Sequence, residues 1–263
     1  LPPFMTSTLL QEAARKLGFS AIKTMRVAQQ LYEGIELKEE GKVGLITYMR
    51  TDSLRIEDAV ILEMRDLIVK LYGADYCPKA IRTFKSKQKN AQEAHEAIRP
   101  TIVSREPEKC KPSLDKDQFN LYRLIWQRTL ASQMIEMKMA VKAIALKAEE
   151  VAVFRLTGSV ILHQGWAKAY QSGDEGDQEK EQLLPDFKEG DWLEVDNFEG
   201  KQHFTEPPPR FRESSLIKNL EEHGIGRPST YPSIIGTLLH REYVELGQKD
   251  FSPTDVGRVV NRF

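Results

Sequence analysis

The chain has 263 residues, of which 40% are hydrophobic and 29% are charged, and its formal net charge is −1. These values are typical of a globular protein with two or three domains. No apolar run reaches the roughly 18–20 residues of a membrane-spanning helix, which excludes a helical membrane protein. The two cysteines, Cys77 and Cys110, lack Cys-x-x-Cys spacing, so we expect no zinc site and a reducing, cytoplasmic location.

The net charge hides an uneven distribution along the chain. Residues 171–199 hold eleven acidic side chains against two lysines, a local charge of −9, so the remainder carries +8. Within it, residues 172–181 are typical of a solvated or disordered loop that avoids DNA. Residues 79–111 hold nine lysines and arginines against four acids, a composition that favours contact with phosphates.

Two helices joined by a tight turn are predicted at the start of the chain. The first begins with a capping box at Thr8 and ends at Gly18. Ser20 caps the second, which ends at Gly34. Its predicted apolar face is formed by Ile22, Met25, Ala28 and Leu31. A strand from Val43 to Met49 follows, which gives the element order of a winged helix-turn-helix.

The middle of the chain changes from helical to strand periodicity. Amphipathic helices are predicted over 56–71 and 119–134, and we expect the aromatic residues of the second in the core. From Met139 the apolar period becomes two, which predicts an antiparallel β region. Its further strands are predicted over 151–156, 159–162, 166–170 and 192–198. Pro207–Pro209 form a stiff connector to the last part.

The opening order of elements recurs near the end of the chain. A helix from Ser214 or Ser215 stops near Gly224, and Ser229 or Thr230 caps the next. A strand over 243–246 and a last helix from Thr254 and Asp255 complete the unit. The sequence therefore predicts an α+β chain with two winged-helix-like modules, residues 1–135 and 209–263, joined by an antiparallel β segment, residues 136–208. Two generic helical hairpins would give the same order, so that alternative stays open.

The segment 44–53, GLITYMRTDS, carries the strongest chemical signal. A phenol with its ordinary pKa of about 10 is a poor nucleophile, unless cations stabilise the phenolate or the phosphate it attacks. In an extended segment Tyr48 and Arg50 point to the same side, which pairs a nucleophile with a guanidinium that can grip a phosphate. Asp52 and Ser53 are expected to cap the following helix. Alone, such a pair more often is a buried tyrosine beside a surface arginine.

Three further segments accompany it in order. They are residues 90–101, NAQEAHEAIRPT; residues 202–211, QHFTEPPPRF; and residues 223–231, HGIGRPSTY. Together the four motifs resemble the type IA DNA topoisomerases, and the resemblance runs over the whole chain. Met49 resembles their bacterial topoisomerase I branch, whereas relatives of the topoisomerase III branch tend to have proline there.

The resemblance implies a covalent mechanism on DNA. Tyr48 would attack a phosphodiester, displace a 3′-hydroxyl and form a 5′-phosphotyrosine, while Arg50 would stabilise the charge of the transition state. Strand passage and resealing would then relax negative supercoils without ATP. The β segment would form part of an arch over a DNA-sized hole.

The resemblance also implies the DNA-binding residues. They are Arg50, His95, Arg99, Arg227, Ser229, Thr230 and Arg241. A histidine at position 95 suits a phosphate contact. Glu93 and Glu96 either orient His95 or pair with Arg99. No metal ligands are expected in this chain.

By the same resemblance the chain is expected to be a central fragment of a monomeric enzyme. A preceding domain would hold Mg²⁺, and single-stranded and negatively supercoiled DNA would be the partners. The fragment alone should bind single-stranded DNA weakly and should not relax plasmid. The alternatives are a topoisomerase III-like decatenase and a non-catalytic tandem winged-helix DNA-binding protein. A tyrosine recombinase is disfavoured because Tyr48 precedes all the other motifs.

Overall fold

The structure, a computed structural model, describes residues 1–38, 40–85, 95–148, 151–170, 184–197 and 199–263. Its helices are α1 Thr6–Leu17, α2 Ala21–Glu33, α3 Asp58–Tyr72, α4 Pro107–Cys110, α5 Lys116–Ser132, α6 Ala167–Tyr170, α7 Glu213–Glu222, α8 Tyr231–His240 and α9 Asp255–Val260. Its strands are β1 Ile35–Leu37, β2 Gly41–Val43, β3 Lys138–Ala148, β4 Ala152–His163, β5 Val244–Leu246 and β6 Phe251–Pro253. The predicted mixture of helices and antiparallel strands is confirmed. Across these ranges no helix has the length and apolar character needed to cross a membrane.

The first two helices end where the sequence signals predicted. Gly18 terminates α1 in the left-handed conformation, with φ of 65°. Ser20 caps α2 by accepting a hydrogen bond from the Lys23 N–H at 3.2 Å, and Gly34 follows its last turn. The cap of α1 is Met5, three residues before the predicted cap Thr8, and the Thr8 hydroxyl accepts a hydrogen bond from the Met5 N–H at 3.1 Å.

The predicted inner face of α2 is partly wrong. Ile22 is 57% exposed, whereas Val27 is buried together with Ala28 and Leu31. The helix is rotated so that Thr24 and Val27 face the core, because packing against the neighbouring helices determines which face is buried. Helical periodicity alone gives a stripe about 100° wide and does not fix its edges.

A short hairpin replaces the strand predicted from Val43 to Met49. Strands β1 and β2 pair antiparallel, with Ile35 opposite Val43, and β2 ends at Val43. Beyond it the chain makes an isolated bridge between Ile46 and Pro100. The order is therefore helix, turn, helix, hairpin.

The same order recurs at the end of the chain. Helices α7 and α8 are followed by the β5–β6 pair and by α9, which Thr254 caps through the Gly257 N–H at 3.0 Å. The predicted repeat is thus present as an order of elements. Its assignment to two winged-helix modules stays a prediction.

Helix α5 forms the centre of the protein body. Asp115 caps it through the Gln118 N–H at 2.8 Å. Leu121, Tyr122 and Ile125 pack with residues of α1 and α2, while Trp126 and Leu130 pack with residues of α3. The prediction that its aromatic residues belong to the core is confirmed.

One long ribbon dominates the β region. Strand β4 runs unbroken from Ala152 to His163 along β3, where two strands had been predicted. Residues 166–170, predicted as a strand, contain α6, and residues 192–197 form no strand. In α6 the Trp166 carbonyl accepts from the Tyr170 N–H at 3.2 Å, which closes a helical turn. Residues 171–183, which contain the predicted acidic loop 172–181, and residues 86–94, which include Glu93, lie outside the described residues.

The two ends of the chain pack against each other. An apolar cluster joins α1 and α2 to α7, α8 and β6, and its buried members are Leu10, Ala21, Ile217, Tyr231, Ile235 and Phe251. The Glu213 carboxylate accepts a hydrogen bond from the Ala21 N–H at 2.6 Å. Burial of these side chains holds the second helical unit on the first.

Candidate active site

Two loops meet beside Tyr48 through a short ladder of hydrogen bonds. The Thr47 N–H donates to the Arg99 carbonyl at 2.9 Å, and the Arg99 N–H donates to the Thr47 hydroxyl at 3.0 Å. The Thr101 N–H donates to the Leu45 carbonyl at 3.0 Å. These bonds set the register of the histidine-bearing loop, 95–101, against the segment that carries Tyr48.

Thr6 anchors the other side of the tyrosine segment. Its buried hydroxyl donates to the Met49 carbonyl at 2.7 Å and accepts from the Thr51 N–H at 2.9 Å. Met49 itself is fully buried. The backbone on both sides of Arg50 is therefore tied to the start of α1.

This arrangement leaves Tyr48 half-buried and Arg50 exposed. The segment bends here and is not a strand, so the predicted sharing of one strand face does not apply. Within the described residues, neither the Tyr48 hydroxyl nor the Arg50 guanidinium has a hydrogen-bond or ion-pair partner. Among the described residues, nothing therefore occupies either group.

Two rings surround the ring of Tyr48. The centroid of His95 lies 5.1 Å away at an interplanar angle of 48°. The centroid of Tyr32, in the last turn of α2, lies 5.4 Å away at 65°, an edge-to-face contact. The structure thus brings Tyr48 and His95 together and adds Tyr32.

Other tyrosines differ from Tyr48 in their surroundings. Burial raises the pKa of Tyr122, whose hydroxyl donates to the Arg105 carbonyl at 2.8 Å. Burial also raises the pKa of Tyr170, whose hydroxyl donates to Glu12 at 2.6 Å. A phenol held in this way is a poor nucleophile, which favours Tyr48 over these two.

Glu96 and Arg99 form an ion pair that braces the histidine-bearing loop. Their side chains pair at 2.6 Å, and Arg99 is buried. Glu96 also accepts the Glu57 N–H at 2.9 Å, next to the start of α3. Of the two roles considered for Glu96, the contacts match pairing with Arg99, in a loop and not in a helix. The role of Arg99 as a DNA ligand stays a prediction.

Asp52 and Ser53 do not cap α3, contrary to expectation. The helix begins at Asp58, with Glu57 at its cap position. The Ser53 hydroxyl instead accepts a hydrogen bond from the Arg55 N–H at 3.1 Å and closes a local turn. Asp52 and Ser53 are both buried. The local turn at Ser53 and Arg55 therefore separates the predicted caps from the start of α3.

The remaining predicted DNA ligands surround α8. Arg227 is exposed, and its backbone N–H donates to the Thr230 hydroxyl at 2.8 Å. That bond stabilises the turn before α8, so Thr230 does not cap the helix with its side chain. Ser229 and Arg241 are exposed. No hydrogen bond, ion pair or ring contact between described residues joins this group to Tyr48 or His95.

No cluster of three or more metal-ligating side chains exists among the residues that the structure describes. A divalent cation needs several oxygen ligands. Within the described part of the histidine-bearing loop, the Glu96 carboxylate is already engaged by the Arg99 guanidinium and the Glu57 N–H.

Sequence reasoning missed Thr6 and Tyr32. Thr6 precedes the predicted start of α1, and no local pattern signals its bonds to residues 49–51. Tyr32 lies on the outer part of an amphipathic helix, where an aromatic residue gives no sequence signal of a functional site. Only the fold places it beside Tyr48.

The chain is similar to known proteins over its whole length. A family model described as DNA topoisomerase matches residues 1–263. The DNA topoisomerase 1 of Xylella fastidiosa is 49% identical over 266 residues, covering 100% of this chain and 33% of that protein. The DNA topoisomerase 1 of Rickettsia conorii is 51% identical over 265 residues, covering 100% of this chain and 34% of that protein. The chain therefore spans about a third of the length of these relatives.

A solved structure shares the fold. The structure of full-length topoisomerase I from Thermotoga maritima matches with a TM-score of 0.77 and 39% sequence identity. The match covers 98% of this chain and 41% of that chain.

Proposed function

Because the chain belongs to the DNA topoisomerase family, we propose that it supplies the nucleophile of a type IA enzyme that relaxes negatively supercoiled DNA. One observation carries the proposal: Tyr48 is half-buried with its ring against that of His95, on a backbone fixed from both sides, and the exposed Arg50 follows it by two residues. Such a site offers a hydroxyl and a cation to one phosphate while its geometry is held in advance.

The proposed reaction exchanges one phosphodiester for another. The Tyr48 oxygen bonds to phosphorus, the bond from phosphorus to the 3′-oxygen breaks, and the phenolic proton balances the one that the 3′-oxygen gains. Arg50 stabilises the charge on the phosphoryl oxygens. Because the phosphotyrosine keeps the energy of the broken bond, reversal reseals the strand without ATP.

The other residues bind and position the strand. His95, whose ring contacts that of Tyr48, binds the phosphate, and the Glu96–Arg99 ion pair holds its loop. We therefore give the buried Arg99 a supporting role, next to its predicted DNA contact. Arg227, Ser229, Thr230 and Arg241 bind the backbone of the single strand around α8.

Magnesium belongs to this proposal only as a property of the whole enzyme. The described carboxylates do not fit such an ion, so no step is routed through it. We place its site in the part of the relatives that this chain does not span.

Plasmid topology tests the proposal. The full-length enzyme that contains this chain is mixed with negatively supercoiled plasmid and a magnesium salt, and the topoisomers are separated on a gel. We expect relaxation by the wild type and by the control Tyr76→Phe, and none by Tyr48→Phe. Relaxation by Tyr48→Phe would refute the role of Tyr48. Decatenation of linked circles without relaxation would favour a topoisomerase III-like enzyme.

A further inference from the structure

The ring of Tyr32 touches the ring of the proposed nucleophile. Their centroids are 5.4 Å apart and the rings meet edge-to-face at 65°. Aromatic pairs prefer this geometry because the positive edge of one ring faces the negative face of the other. Tyr32 is nevertheless 41% exposed, more than a side chain that serves only the core.

The backbone fixes this pair. The Leu45 N–H donates to the Leu31 carbonyl at 2.7 Å, which ties the last turn of α2 to the segment that leads to Tyr48. Gly44 lies against the same turn, and a Cβ at this position would be 2.6 Å from the Tyr32 carbonyl oxygen. Residues 31 and 32 therefore approach residues 44 and 45 more closely than a larger residue at 44 would permit.

The contact between the rings of Tyr32 and Tyr48 restricts the orientation of the Tyr48 side chain. Its backbone is anchored through Thr47 and Met49, but the side chain retains rotation about its own bonds. Contacts with the rings of Tyr32 and His95 limit that rotation and set the direction of the hydroxyl. A nucleophile must be aimed at phosphorus before it reacts, and small misplacements are costly.

We infer that Tyr32 is a positioning residue, whose ring orients the Tyr48 phenol for attack on the scissile phosphate. The inference rests on the proposed function. Tyr32 needs its ring for this role and not its hydroxyl, and it makes no bond to the DNA. Phenylalanine should therefore replace it, whereas alanine should not.

The test separates cleavage from binding. Single-turnover cleavage of a 3′-labelled single-stranded oligonucleotide by the full-length enzyme is measured with a magnesium salt. The Kd for the same oligonucleotide is measured by fluorescence anisotropy without magnesium. We expect Tyr32→Ala to slow cleavage about tenfold to a hundredfold, while its Kd stays within about twofold of wild type. Tyr32→Phe should restore the wild-type rate.

Two controls keep the result specific. Leu62→Ala removes another exposed apolar side chain, 56% exposed on α3, and should cleave like wild type. The Tm of each variant shows whether folding has changed. A wild-type rate in Tyr32→Ala, or a Tyr32→Phe as slow as the alanine variant, would overturn the inference. A Kd that weakens in step with cleavage would overturn it too, since Tyr32 would then be a DNA contact. A wild-type enzyme that forms no covalent adduct would instead refute the proposed function itself.

Discussion

At the scale of single residues, Glu96 and Arg99 form an ion pair that is largely buried. Their carboxylate and guanidinium pair at 2.6 Å, with side chains 23% and 8% exposed. Arg99 also donates to the Pro100 carbonyl at 2.8 Å. The Glu96 carboxylate is thus the ion-pair partner that stabilises the buried Arg99 guanidinium.

We expect Glu96→Gln to lower the free energy of unfolding by about 1.5–3 kcal/mol, because a buried charge loses its partner. Urea denaturation measures the loss. Glu222→Gln, whose carboxylate is 58% exposed, is the matched control and should change stability within about 0.5 kcal/mol. Equal stability of both variants would contradict the role of Glu96 as a brace.

The sequence singles out candidate residues for the site, but it does not predict their contacts. The motifs pointed to Tyr48, Arg50 and His95, and the structure brings the first and third together. Tyr32 was not predictable, since its contact depends on the hairpin that returns the chain to α2. Whether each residue binds DNA remains a prediction.

Gly44 sets the spacing between two elements. Gly44→Ala would force its Cβ against the Tyr32 carbonyl, at 2.6 Å if nothing moved. We expect a loss of about 1–3 kcal/mol in the free energy of unfolding, together with slower cleavage, as α2 and the tyrosine segment separate. Gly200→Ala, where a Cβ meets nothing within 4 Å, should change neither quantity. Wild-type cleavage and stability in Gly44→Ala would show that the close approach is unimportant.

Glu12 links α1 to α6. Burial favours the neutral form of its carboxyl, but hydrogen bonds from Arg15 and Tyr170 outweigh this, so the pKa of Glu12 is lowered. A lowered folded-state pKa gives stability that is present above the unfolded pKa of about 4.3 and is lost as pH falls through the folded value. The Glu12→Gln variant should therefore be less stable than wild type by about 1 kcal/mol at pH 7, with the difference shrinking below about pH 4. Urea midpoints at both pH values check this, and a difference that grows in acid would contradict it.

Element ends followed local chemistry, whereas element identity sometimes did not. The turn at Gly18 and the cap at Ser20 are short-range and were predicted. Residues 166–170 alternate like a strand, yet Trp166 donates its N–H to the Ile135 carbonyl at 2.9 Å and the chain turns into a helix. Such a distant partner leaves no trace in a local pattern.

At the scale of the whole molecule, the main feature is the apolar cluster that packs the two ends of the chain against each other. Ile217 is fully buried there, beside Leu10 and Tyr231. We expect Ile217→Ala to cost about 2–5 kcal/mol of unfolding free energy and to speed hydrogen exchange in α7 and α8. Leu246→Ala, in the same unit but 46% exposed, is the control. Faster exchange confined to other elements would contradict this packing role.

The chain by itself is expected to bind DNA without relaxing it. It spans about a third of its relatives, and its described residues provide no metal cluster. Anisotropy with single-stranded DNA at rising salt should show weak binding that falls steeply with ionic strength. Robust plasmid relaxation by the 263-residue chain alone would contradict the expectation that relaxation needs the rest of the enzyme.

The most direct measurement is the covalent adduct itself. The full-length enzyme, as wild type or Tyr48→Phe, is mixed with a magnesium salt and a single-stranded oligonucleotide labelled at its 3′ or its 5′ end. After denaturation we expect the 3′ label, and not the 5′ label, to travel with the wild-type protein, because the downstream piece stays attached through its 5′-phosphate. No label should travel with Tyr48→Phe. Label on both proteins would mean that another residue is the nucleophile, and label on neither, with DNA binding intact, would mean that the protein binds DNA without cleaving it.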